Sequence, residues 1–259
     1  HRQLPSITQL AVLGILFVVA GAVSGSLGHM VRARRLHRRD REYGVRVDHL
    51  RYIAGGLGGV AGIVIGAMAA YYLSLNQRVD FITWVGRLSY VLIALSVSGH
   101  LLTLIHMALH LYREEKAVAE GFFKGSSLSA YRLEVLNRKS EENRHYIDLK
   151  SKDEEALDHF IGFFAEPLLN ARRDMARIPL YGYLGTVCGI LLMAQELGQI
   201  DEASETFKVL SSMAEGLALA FKTTLVALMS YLPLRKTVDY MLQRVATIEI
   251  AWRRMREDR

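Results

Sequence analysis

Cysteine occurs once among the 259 residues, as Cys188, so no disulfide framework holds this fold. No segment alternates polar and apolar residues as the strands of a membrane barrel must, which excludes a β-barrel. Nothing recurs at a fixed period, and no stretch is of low complexity. No glycine-rich turn is followed by Lys-Ser or Lys-Thr, so a phosphate-binding loop is excluded as well. No nucleophile stands beside a base, and an enzyme is not expected.

Apolar sequence is what the chain has in quantity. Hydrophobic residues make up 51% of it, and they gather in runs that touch few charges. A bilayer core takes about 20 helical residues to cross. Five segments reach or approach that length: Thr8–Met30, Tyr52–Leu75, Ile82–Tyr112, Ile178–Leu197 and Val209–Leu234. The expected fold class is therefore an all-α integral membrane protein with five transmembrane helices, a helical cytoplasmic segment and a C-terminal helix. The first run is read as a span and not as a cleavable signal peptide. It is longer than an h-region, and its arginines follow it where a signal peptide has them in front.

The formal charge of +6 is concentrated. Between Val31 and Arg51 stand eight arginines (residues 32, 34, 35, 38, 39, 41, 46 and 51) against three acids. Short loops rich in Lys and Arg stay on the cytoplasmic side, and polybasic stretches beside a span attract anionic lipid. The position of the charge thus points to a bilayer and away from nucleic acid. The rule assigns Ser74–Phe81 to the outside, 113–177 to the inside, the acidic loop with Asp201, Glu202 and Glu205 to the outside, and the tail to the inside. The chain divides into two N-terminal helices joined by an Arg-rich loop (1–75), a third span (76–112), a helical cytoplasmic region (113–177), a pair of spans (178–235) and a C-terminal helix (236–259). A break is expected at Gly125-Ser126-Ser127. The patch from His159 to Phe164 is too short to span and is expected to pack against other helices.

Small residues mark the spans. Gly55/Gly59, Gly58/Gly62 and Gly62/Gly66 are each four apart, and the first span repeats the device at Gly14, Gly21, Gly25 and Gly28. Such spacing lets helix backbones approach closely in lipid. In the fourth span, Thr186 shares a face with Pro179, Gly182, Gly189, Ile190 and Met193. In the fifth, Thr224 shares one with Leu217, Ala220, Phe221 and Ala227. Each hydroxyl could bond back to the carbonyl four residues earlier. Alternatively, each could face a path for ions. No Asp or Glu occurs from Pro179 to Gln195 or from Gly216 to Pro233. An ion crossing beside these helices would need a carboxylate brought from elsewhere.

Two motifs carry a resemblance. Pro179–Ile190, PLYGYLGTVCGI, resembles the P-x-x-G-L-L-G-T-V-x-G-I signature of the MotA/TolQ/ExbB ion-channel family. Gly216–Pro233, GLALAFKTTLVALMSYLP, resembles the same family's G-I-A-x-A-L-x-x-T-x-x-G-L-x-x-x-I-P. The likeness extends from the third span onward, and the first two spans are extra. It implies a ring-forming, pentameric subunit of an ion-driven motor in a bacterial inner membrane. The ring would surround a dimer of a single-span partner of ExbD/TolR/MotB type, whose aspartate carries the ion. It places the two pore threonines at Thr186 and Thr224, with Thr223 beside the second, and it makes Pro179 and Pro233 the prolines that bend or end the pore helices. Gly182, Gly185, Gly189 and Gly216 would pack or hinge those helices. No cofactor is implied beyond the transported ion, a proton or alternatively Na⁺.

The sequence also departs from the family pattern. Leu219 stands where ExbB-type members have a glutamate, Ala227 replaces a glycine, and Lys222 falls at a position expected to be apolar or acidic. Lys222 lies too deep to snorkel easily, so a contact with a partner's acid or a watery lumen is expected. A non-conducting scaffold of the same fold is the competing function. A secondary transporter is disfavoured by the lack of an inverted repeat. His106 and His110 have the i,i+4 spacing of metal ligands, but with no third ligand nearby they are read, like His100, as packing or interfacial histidines. No metal is expected.

Overall fold

A computed structural model describes residues 7–45, 49–74, 80–119, 128, 132, 146–198 and 206–257. Among the described residues six helices are bounded: α1 (Ile7–Glu42), α2 (Leu50–Ser74), α3 (Phe81–Ala119), α4 (Tyr146–Met175), α5 (Ile178–Leu197) and α6 (Thr206–Glu257). No strand occurs among the described residues, and five helices are long and apolar enough to cross a membrane. The Gly125-Ser126-Ser127 break, Arg46, most of the outer loop after Ser74 and the acids at 201, 202 and 205 lie outside the described residues.

The helices divide between two compact units. One holds the residues up to Met30, Ala54–His100 and Asp174–Leu234; the other holds Val31–Ile53, Leu101–Arg173 and the chain from Arg235. The first unit is the apolar one. Its surface carries large side chains such as Ile15, Leu16, Val60, Phe221, Leu225 and Met229, each more than 59% exposed, a pattern suited to lipid and costly in water. α1 and α2 meet along a backbone-to-backbone seam, with Gly21 against Gly62, Gly25 against Gly58, and Gly66 against Phe17. A Cβ at Gly21 or Gly62 would lie on the facing backbone, so the seam requires glycine. Ser26 Oγ adds a hydrogen bond to the Gly55 carbonyl (3.0 Å). These seam glycines are therefore used within one chain, while Gly14 and Gly28 face no neighbour among the described residues.

The second unit has a conventional core. Phe160, Phe163 and Phe164 of α4 are fully buried, as the His159–Phe164 patch requires. Phe160 stacks on Trp252 of α6 at 4.6 Å between centroids. Val238, Met241, Val245, Ile248 and Trp252 supply the buried stripe of the α6 tail at intervals of three and four. A buried ion pair ties this core together: Arg132 Nε donates to Asp153 Oδ1 (2.6 Å), and its Nη2 to Asp153 Oδ2 (3.0 Å) and the Trp252 carbonyl (2.8 Å).

Two stretches add detail to the sequence reading. The apolar run Leu101–Tyr112 belongs to the second unit, where Leu102, Leu104, Met107 and Leu111 are buried in protein. α6 does not end at Pro233 but continues through it to Glu257, so this proline terminates nothing. Elsewhere the ends follow local chemistry. Gly44, at φ 73°, closes α1: its N–H bonds to the Arg41 carbonyl (3.1 Å) and that of Val45 to the Asp40 carbonyl (2.8 Å), the two bonds of a Schellman cap.

Candidate functional site: the hydroxyl flank of the α5–α6 pair

Pro179 is the second residue of α5, in the first helical turn, where the missing N–H has no intrahelical partner to lose. From there α5 runs 20 residues, about 30 Å, the thickness of a bilayer core. It packs on α6 through small residues. A Cβ at Gly182 would lie 2.6 Å from Ala227 Cβ, one at Gly185 2.5 Å from Thr223 Cβ, and one at Gly189 2.8 Å from Ala220 Cβ. Gly216 in turn sits against the Gly189 carbonyl, 2.8 Å from where its Cβ would be. The four glycines named from sequence thus form one side-by-side seam, and buried Ala227 fills the place opposite Gly182. Leu219 packs toward Gly86 of α3, an apolar contact.

The threonines meet where this seam opens. Thr186 and Thr224 are both half-buried, and their hydroxyls are hydrogen-bonded to each other. Thr186 Oγ1 also lies 3.3 Å from its own i−4 carbonyl, Gly182, and 3.1 Å from the Ala220 carbonyl across the helix pair. Thr224 Oγ1 reaches the Gly182 carbonyl at 3.3 Å. Back-bonding therefore accounts for only one of the contacts of Thr186 and for none of those of Thr224. Thr223 behaves differently. It is fully buried, fills the hole left by Gly185, and its hydroxyl bonds toward the Leu219 (3.0 Å) and Ala220 (3.1 Å) carbonyls and toward Gly182 (3.3 Å).

Three hydroxyls thus converge on the Gly182 carbonyl, which has two lone pairs. The three protons cannot all point there, so they distribute among Gly182, Ala220, Leu219 and one another by rotating Cβ–Oγ bonds alone. Thr186 and Thr224 stay half-exposed and keep lone pairs for an incoming donor or cation. The sequence pointed to the hydroxyls, but the carbonyls that complete the set lie on glycine and alanine, residues without a side-chain signal.

Lys222 is not part of this flank. It lies two positions before Thr224 on the same helix, which places their side chains about 160° apart. It is exposed on the single chain and makes no hydrogen bond or ion pair among the described residues. Pro233 is exposed as well.

In the second unit, His106 and His110 do have a third group beside them. Asp40, 66 residues before His106, faces both. Residues 129–254 match the family model described as the MotA/TolQ/ExbB proton channel family. No curated protein and no solved structure matches the chain.

Proposed function

This chain belongs to the MotA/TolQ/ExbB proton channel family through residues 129–254, and from that membership we propose that it is the ring-forming subunit of a proton-driven motor. The ring, of five copies, surrounds a dimer of a single-span partner of ExbD/TolR/MotB type, whose membrane aspartate takes and releases the proton beside Thr186 and Thr224. It resides in a bacterial inner membrane with the N-terminus outside, the C-terminus inside and the Arg-rich end of α1 near anionic lipid. Proton flow through the ring becomes mechanical work on the partner.

The observation that carries this reading is the hydroxyl pair, set on a helix pair that brings no carboxylate to it. A carboxylate arriving from another chain meets two rotatable hydroxyls and two backbone carbonyls in a setting of low dielectric, where unpaired polar groups are costly. Thr223 is left out of the path, because its side chain is consumed in packing. Lys222 supports the assembly from the opposite side of α6. An ammonium at the middle of a span is expensive in lipid, and a neighbouring chain covers it.

The test is proton flux into everted vesicles that hold this chain with and without its single-span partner. Flux is expected only with both, and it is lost when the partner's aspartate becomes asparagine. Flux that follows a Na⁺ gradient and survives a protonophore would reassign the ion. Native mass spectrometry in mild detergent that finds only monomers would sink the ring.

A further inference from the structure

The second unit contains a cluster that the ion path does not use. Asp40 comes from α1, and His106 and His110 come from one face of α3, one turn apart. All three are buried, at 1%, 1% and 5% exposure. His106 Nε2 lies 3.1 Å from Asp40 Oδ1 and 3.0 Å from Oδ2. His110 Nε2 lies 4.0 Å from Asp40 Oδ2. Among the described residues that nitrogen has no hydrogen-bond partner, and that oxygen faces His106 Nε2 without forming a well-directed hydrogen bond, a rare state for buried polar atoms. One ligating atom from each residue falls within 4.8 Å of the other two.

The surroundings hold these groups in place. The two imidazoles meet edge to face at 4.6 Å, and Phe163 closes the far side of His110 at 5.2 Å. The carbonyl of Asp40 is tied by the Val45 N–H in the cap that ends α1, so the residue sits on a fixed helix terminus. Two neutral imidazoles and one carboxylate are the donor set that Zn²⁺ and its first-row neighbours take. Ca²⁺ and Mg²⁺ ask instead for oxygen alone. Metal–ligand bonds of about 2.0–2.1 Å in a tetrahedral site put ligand atoms about 3.3 Å apart. The 3.0 and 4.0 Å separations from Asp40 Oδ2 bracket that value.

We propose that Asp40, His106 and His110 form a binding site for a divalent transition-metal ion, Zn²⁺ by its donor chemistry. The ion takes the Nε2 lone pair of His110, an oxygen of Asp40 and the Nε2 lone pair of His106. The His106 Nε2 proton, shared with Asp40 in the metal-free site, moves to Nδ1 or leaves on binding. The ion thereby clips the Arg-rich end of α1 to α3. Three protein donors leave a tetrahedral ion one position for water. The site is independent of the proton path, and its loss leaves the Thr186–Thr224 pair untouched.

The experiment uses the full chain in detergent, without a polyhistidine tag, stripped with EDTA and dialysed against ZnCl₂. Metal is then measured by mass spectrometry and thermal stability by intrinsic fluorescence. About one Zn²⁺ per chain is expected for the wild type, with a rise in melting temperature on loading. His110→Gln keeps the His106–Asp40 hydrogen bond and is expected to match the stripped wild type in stability while retaining less than a tenth of the metal. A wild type that retains no Zn²⁺ overturns the proposal, as does a folded H110Q that retains as much as the wild type. X-ray absorption of the Zn²⁺-loaded wild type decides the matter without any variant. Two imidazole nitrogens in the shell support the site, and an oxygen-only shell overturns it.

Discussion

Thr186→Val removes one hydroxyl and leaves the shape of the side chain unchanged, so its two possible effects separate cleanly. In the folded chain the lost group contacts the Gly182 carbonyl at 3.3 Å, the Ala220 carbonyl at 3.1 Å and the Thr224 hydroxyl. A hydroxyl donates one proton, and Thr224 can still donate to Gly182 at 3.3 Å. The structural loss is therefore one hydrogen bond, about 1 kcal/mol. If the pair also receives the partner's carboxylate, the missing hydroxyl acts at the top of the barrier. A rise of about 3 kcal/mol there slows flux roughly a hundredfold. T186V and T224V are each expected to keep normal membrane levels and ring assembly while proton flux in everted vesicles falls by about that factor. Thr103 is a poor control, because its hydroxyl lies 3.5 Å from Arg32 Nη2. Ser230→Ala is a better one, since that hydroxyl only bonds back to the Val226 carbonyl at 2.8 Å; it should leave flux intact. Thr223→Val should cost stability and little flux. Flux in T186V and T224V equal to that of S230A would refute the reasoning.

Other perturbations test the packing and the assembly. Gly185→Ala should destabilise the α5–α6 pair by about 1–3 kcal/mol, seen as a lower melting temperature in detergent. The swap G185A/T223G should recover part of the loss, because it empties the place that the new methyl needs; additive losses in the pair would refute the contact. Asp153→Ala strands the buried Arg132 guanidinium and should cost about 3–5 kcal/mol, so an unchanged melting temperature would exclude the pair as a core tie. Lys222→Met should lower the yield of intact rings with less effect on the melting of monomers, and equal ring yield would show that no other chain contacts the ammonium.

The helices were legible because their apolar runs are long, and the α6 tail because its buried residues keep helical spacing. Other features were hidden for physical reasons. Hydropathy cannot distinguish a lipid neighbour from a protein one, so the run Leu101–Tyr112 gave no sign that Leu102 and Met107 are buried in the core of the second unit. Of bend or end at Pro233, the end is excluded, because the helix and its buried stripe at Leu234 and Val238 continue past it despite the one hydrogen bond a proline removes. Glycine spacing announced a close approach without naming the partner, and Gly21 and Gly62 meet within one chain. Adjacent Thr223 and Thr224 are alike in sequence, but about 100° of helix rotation puts one in the seam and the other at its open edge. Asp40 had no local link to His106 and His110 across 66 residues.

The two sides of α6 lead to the same requirement by different routes. On one side, a half-exposed hydroxyl pair has polar capacity left over, and no Asp or Glu stands from Pro179 to Gln195 or from Gly216 to Pro233 to use it. On the other, Lys222 places an ammonium at mid-span among Phe221, Leu225 and Met229, which are 67%, 61% and 68% exposed on the single chain. Lipid can cover the three apolar residues at no cost, but it cannot cover the lysine cheaply. A single chain in a bilayer would leave one of its two polar features stranded and the other idle. In the proposed assembly different neighbours satisfy them, because the faces lie about 160° apart and one helix cannot touch both. The assembly proposed above supplies two further chains to α6, one bearing a carboxylate toward Thr186 and Thr224 and one shielding Lys222. A ring of like subunits around a distinct central helix meets both conditions, whereas a face-to-face pair of this chain alone leaves one unmet.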